Sequence, residues 1–92
     1  MTPAQRHHSQ GVSLYDSGEY QRAIEEFSQT IELDPQYAEA YNNRGISYRR
    51  LGQHERAIED YDKAIELDPN DATAYRNRGL SYSDLGQYRR AI

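Results

Sequence analysis

Residues 38–71 are followed by a partial copy of themselves. A shift of 34 positions lays Tyr41 on Tyr75, Asn43 on Asn77, Arg44 on Arg78, Gly45 on Gly79, Tyr48 on Tyr82 and Gly52 on Gly86. The same shift lays Arg22, Ala23, Ile24 and Ile31 on Arg56, Ala57, Ile58 and Ile65. A fixed period of this length constrains the fold more than any single residue does. Each unit must be one supersecondary element that buries its apolar face against its neighbours in a stack.

The unit reads as two helices. Tyr41, Gly45 and Tyr48 recur at i, i+4 and i+7, one face of a helix predicted over residues 38–51. Glu39, Asn42, Asn43, Ile46, Arg49 and Arg50 occupy another face of it. Ala57, Ile58, Tyr61, Ala64 and Ile65 make the buried stripe of a helix over 54–67, which leaves Glu55, Glu59, Asp60, Asp62 and Glu66 for solvent. Further helices are predicted over 4–17, over Tyr20–Leu33, over 72–85 and from near Tyr88, the last cut short at Ile92. Gly18, Gly52 and Gly86 share one phase and are expected to stop helices in the left-handed conformation. Asp34-Pro35 and Asp68-Pro69 end the second helices, because the residue before proline is pushed out of the helical region. Gly11, Gly45 and Gly79 lie inside helices, where glycine costs about 1 kcal/mol relative to alanine. That cost implies close helix–helix approach. Arg44 and Arg78 are expected to pack their stems and pair their heads with an acid on the preceding helix.

Such polarity, with 28% charged residues and a mean hydropathy of −1.10, would suit a disordered chain. Nine tyrosines at regular spacing argue for a core instead. There is no cysteine, hence no disulfide or thiolate site. A net charge of −4 disfavours nucleic acid and anionic membrane as partners, and no apolar run approaches membrane-spanning length. The N-terminal residues carry no apolar signal segment, so a cytoplasmic setting is the default expectation. His7 and His8 diverge by about 100° on a helix and cannot readily share a metal. No phosphate loop or nucleophile elbow is present. No acid stands in an apolar context that would raise its pKa. No enzyme activity, cofactor or metal site is expected.

The chain resembles the tetratricopeptide repeat family in an Asn-Arg-Gly variant. The second unit supplies Tyr41, Gly45, Tyr48, Ala57, Tyr61, Ala64 and Pro69 of the family pattern, and the third supplies Tyr75, Gly79, Tyr82 and Ala91. The first supplies Gly11, Ala23, Phe27 and Pro35, with His7 at the aromatic position, Leu14 at the tyrosine position and Thr30 at the second alanine. The resemblance implies an all-α, right-handed superhelical solenoid of antiparallel helix pairs. About two and two-thirds repeats fit in one domain over 1–92, at approximately 4–37, 38–71 and 72–92.

By the same resemblance, the first helices line a concave groove for an extended peptide or partner segment. Its candidate residues are Asn42, Asn43, Ile46, Arg49, Arg50, Arg76, Asn77 and Leu80. The middle of this set is basic and the second helices are acidic, so a partner of acidic character is expected. The family's clamp for chaperone C-terminal tails uses positions held here by His8, Val12, Asn43, Thr73 and Asn77. Only Asn43 matches, so chaperone tails are expected not to bind. An asparagine ladder, as in O-linked N-acetylglucosamine transferases, is matched by Asn43 and Asn77, with Ser9 in the first repeat. An Asn amide both donates and accepts, so it can pair with a peptide unit. The alternative is a self-associating structural piece of a longer array. Its sticky surface would be the uncovered face bearing Tyr75, Tyr82 and Ile92, and a homo-oligomer would form through it.

Overall fold

The first helix is set by its opening residues. Thr2 caps it by accepting from the Gln5 backbone N–H, and the Gln5 side chain accepts in turn from the Thr2 backbone N–H, at 3.1 and 2.8 Å. Pro3 follows in the first turn, where its missing N–H costs nothing. The computed structural model describes residues 1–91, with side chains described for all of these but Tyr88 and Ala91. Ile92, expected in a self-association surface, lies outside the described residues.

The helices are α1 (Pro3–Asp16), α2 (Tyr20–Leu33), α3 (Ala38–Arg50), α4 (His54–Leu67) and α5 (Ala72–Ala91). Gly18 and Gly52 turn α1 into α2 and α3 into α4 with φ of 80° and 76°, the left-handed region that glycine enters without a Cβ clash. Asp34 and Asp68 close the proline turns, each accepting from a backbone N–H two residues on. Asp71 accepts from the N–H groups of Thr73 and Ala74 and so starts α5. Each helix packs on the next, and α1, α3 and α5 also touch in order. The result is an all-α superhelical arrangement of antiparallel helix pairs.

Close approach within each pair is built on glycine and an aromatic ring. A Cβ on Gly11 would stand 2.5 Å from the Phe27 ring, and one on Gly45 would stand 2.7 Å from the Tyr61 ring and 3.2 Å from the Ala57 carbonyl. Phe27 and Tyr61 are fully buried among Ala23, Ile24, Ala57, Ile58 and Ala64. Tyr41 is also buried, and its hydroxyl donates to the Pro35 carbonyl at 3.1 Å, which fixes α3 to the turn before it. The first repeat replaces the pattern's residues with polar ones that find partners. His7 Nδ1 lies 2.7 Å from Glu26, and the buried Thr30 hydroxyl donates to the Glu26 carbonyl.

Three expectations are corrected. Gly86 does not stop a helix, because α5 runs through it as one element. Glycine takes helical φ as readily as positive φ, so its phase permits a left-handed stop without enforcing one. Asp60 does not face solvent; it is 5% exposed against Arg44. Arg44 pairs with this acid on the following helix and reaches only the Ser28 hydroxyl on the preceding helix α2. Arg78 does pair with the preceding helix, through Asp62 at 2.9 Å.

Candidate functional site: the face of the first helices

The face formed by α1, α3 and α5 is joined by side-chain bonds with a rule of their own. Asn43 Nδ2 donates to His8 Nε2 at 2.9 Å, and Asn77 Nδ2 donates to Asn42 Oδ1 at 3.3 Å. Arg50 Nε donates to the Tyr15 hydroxyl at 3.1 Å, and Arg49 Nε to Asp84 at 2.7 Å. All four pairs are 35 residues apart, one more than the repeat period. Two positions of each unit therefore bond two neighbouring positions of the next. The chemistry differs at every bond while the geometry repeats.

Between α1 and α3 these bonds frame a pocket of about 220 Å³, lined by Val12, Tyr15, Asp16, Phe27, Asn43 and Ile46. Its walls are apolar and aromatic, with an amide and a carboxylate among its lining groups. His8 packs between the rings of Phe27 and Tyr37, with centroids 5.6 and 4.9 Å away. Burial lowers the pKa of His8, partly opposed by the Glu39 carboxylate. A neutral imidazole is what the Asn43 contact requires in this orientation of the amide, since Nε2 must accept.

The residues expected to bind are distributed unevenly. Asn43 and Ile46 are half-buried at the pocket, while Asn42 and Asn77 are buried against each other. Arg49 is neutralised by Asp84. Arg50 is exposed, its guanidinium 5.9 Å from the Tyr15 ring centre. Arg76 and Leu80 are exposed on α5. Among the described residues neither Arg50 nor Arg76 is in an ion pair, so two cations on this face are open to an anion. Sequence reasoning set His8 and Val12 at groove positions, and the 35-residue offset brings Tyr15 to the pocket as well.

The opposite face of α5 is open. Nothing lies within 4 Å of a Cβ built on Gly79, and Tyr75 and Tyr82 are 43% and 55% exposed where Tyr41 is 8%. Among the described residues, no helix is long and apolar enough to cross a membrane. Nor do three His, Cys, Asp or Glu among them stand close enough to hold a metal ion.

Three family models match: a tetratricopeptide repeat over residues 38–71, a TPR repeat over 11–52 and a further tetratricopeptide repeat over 60–92. Comparison with curated protein sequences gives no match. Among solved structures, a crystal structure of MamA is 35% identical with a TM-score of 0.89, covering 92% of this chain and 50% of that one. The chain thus spans half the length of that relative. The second TPR of Spaghetti (RPAP3), bound to the HSP90 peptide SRMEEVD, is 30% identical with a TM-score of 0.90, covering 98% of this chain and 83% of that one. The TPR2B domain of yeast Sti1, in a complex with pHsp70, is 27% identical with a TM-score of 0.90, covering 97% of this chain and 71% of that one.

These structures overturn the expectation that chaperone tails are excluded. That expectation required cations at fixed clamp positions. A face of this backbone holds such peptides in chains of comparable identity, and a carboxylate can be met by any well-placed donor, including an amide or an arginine at another position. The scaffold of these repeats is non-catalytic, a surface for binding other proteins. With family models matching throughout and a 30% identical relative covered over most of its length, the chain belongs to the tetratricopeptide repeat family.

Proposed function

We propose that residues 1–92 act as one binding unit, with repeats near 4–37, 38–71 and 72–92, and that the face of α1, α3 and α5 holds an extended peptide of acidic character. The observation that carries this reading is the pocket at Asn43 and Ile46, with the open guanidinium groups of Arg50 and Arg76 on the same face. Val12, Ile46 and the Phe27 ring receive one apolar side chain of the peptide. Asn43 offers its amide to the backbone, and Arg50 and Arg76 attract carboxylates. Peptides like the SRMEEVD held by the Spaghetti domain, acidic towards their C-terminal end, fit this arrangement.

The test is titration of labelled SRMEEVD, as the free acid and as its amide, into the full chain. The free acid is expected to bind more tightly, with an affinity that falls as salt rises. Arg50→Ala with Arg76→Ala should weaken it by about tenfold, with helicity unchanged. Equal affinity of the acid and the amide, or of the wild-type and doubly substituted chains, would refute the reading.

A further inference from the structure

We infer that the pocket between α1 and α3 takes a lysine side chain, so that the peptide held on this face carries one basic residue among its acidic ones. This inference rests on the reading of the face as a peptide site and adds what the pocket selects. The side chain it receives is apolar along its stem and ends in an ammonium.

The walls and the polar groups of the pocket ask for different things. Val12, Ile46 and the rings of Tyr15 and Phe27 offer apolar and aromatic surface. Asp16 and Asn43 supply the polar lining, one from α1 and one from α3. Asp16 is exposed, and among the described residues it is in no ion pair. Asn43 turns its amide nitrogen to His8, which is itself held between the rings of Phe27 and Tyr37. One N–H of Asn43 is used there and the other remains for a peptide backbone. Its Oδ1 accepts no hydrogen bond among the described residues. The Tyr15 oxygen already accepts from Arg50 at 3.1 Å. The free carboxylate and amide oxygens make this an acceptor site inside an apolar wall.

That combination discriminates among side chains. A purely aliphatic one would strip water from Asp16 and Asn43 and return no hydrogen bond. A carboxylate would meet the like charge of Asp16. Lysine satisfies both parts. Its stem lies on the apolar walls, and its ammonium has three donors for the two oxygens. The aromatic faces of Tyr15 and Phe27 favour a cation as well. Because the two acceptors come from different helices, a compact ammonium suits them better than the flat fork of arginine.

The next joint carries the opposite sign. Positions 34 beyond Tyr15 and Asp16 are Arg49 and Arg50. Arg49 is neutralised by Asp84, and Arg50 is exposed, as is Arg76 on α5. A peptide lying across both joints therefore meets acceptors at the first and guanidinium groups beyond it. A lysine with acidic residues close by in sequence matches that charge order.

Two probes keep this inference separable from the reading it rests on. The first is N-acetyl-lysine methylamide alone, titrated into the full chain and followed by NMR at Val12, Asn43 and Ile46. It should shift these resonances with an affinity about fivefold above that of the norleucine derivative, which has the stem without the charge. The second is a pair of peptides, SAMEEVD and SAKEEVD, which lack the arginine of SRMEEVD and differ only in methionine against lysine. The lysine peptide should bind about fivefold more tightly, and acetylating that lysine should remove the gain. Asp16→Asn should erase the difference between the two peptides, and Asp16→Lys should reverse it. Equal effects of the lysine and norleucine derivatives would overturn the inference whatever the peptides do. So would a lysine preference that survives Asp16→Asn. Failure of both peptides while the lysine derivative still moves the pocket resonances would refute the peptide reading and support the lysine site.

Discussion

Arg44 and Asp60 form a two-bond ion pair inside the second repeat, with side chains 21% and 7% exposed. The pair links the α3 stripe to α4 exactly where Gly45 lets the helices touch. Burial is the largest influence on Asp60 and raises its pKa, with the Arg44 hydrogen bonds pulling the other way. Those hydrogen bonds likewise raise the pKa of Arg44. Arg44→Met would leave a buried carboxylate without its partner and should cost about 3–5 kcal/mol. Adding Asp60→Leu should recover most of that loss. The check is a double-mutant cycle by chemical denaturation. A double variant no more stable than the single one would mean that the pair is not the determining contact.

Gly45→Ala should destabilise the chain although alanine is the better helix former. The added Cβ would meet a fully buried ring and a backbone carbonyl, neither free to retreat. Overpacking costs about 1–3 kcal/mol, against a propensity gain of about 1 kcal/mol. Thermal unfolding should show a lowered Tm, and a raised one would show that the Tyr61 ring can shift.

Tyr61→Phe should leave stability unchanged or raise it by about 1 kcal/mol, because the buried Tyr61 hydroxyl has no hydrogen-bond partner and its removal relieves an unsatisfied group. Phe27 already occupies the matching position of the first repeat. Burial pushes the Tyr61 phenol up to about 12. A folded pKa above the unfolded value of 10.0 gives stability that is present below pH 10 and lost as pH climbs towards about 12. The variant should therefore lose stability less steeply across that window. A loss of more than about 1 kcal/mol at neutral pH would show that the hydroxyl is satisfied after all.

His8 should titrate below its ordinary value of 6.5, read directly from its ring resonances by NMR. Burial against Phe27 and Tyr37 outweighs the Glu39 carboxylate. The folded chain then binds fewer protons than the unfolded chain below pH 6.5. Its contribution to stability is full above that pH and is lost as pH falls through the lowered folded pKa. Protonation also ends acceptance from Asn43, so the Asn43 side-chain resonances should move with the same midpoint. A midpoint at or above 6.5 would contradict this account.

Most of the helical frame could be read from the period. The glycine and proline punctuation placed α1 to α4, and the Tyr41, Gly45, Tyr48 stripe identified the packed face. What escaped were decisions made by long side chains and by neighbours. Asp60 lies on the polar side of its helix by spacing, yet Arg44 reaches it and draws it into the interior. Gly86 has the residue type and phase of Gly52, but glycine permits a left-handed turn without enforcing one, and α5 runs through it. Which positions share the face of α1, α3 and α5 was legible from the spacing. Its internal bonds were not visible, because a 34-residue repeat does not announce contacts at 35.

That offset makes the repeats exchangeable parts with matching sockets. If residues 38–71 were excised and the first repeat joined directly to the third, His8 would face Asn77 and Tyr15 would face Asp84. An amide can still donate to the imidazole, and a phenol can donate to the carboxylate. Both new joints are chemically sound although neither exists in the present chain. Such a lineage can gain or lose whole units without leaving a polar group stranded at the seam.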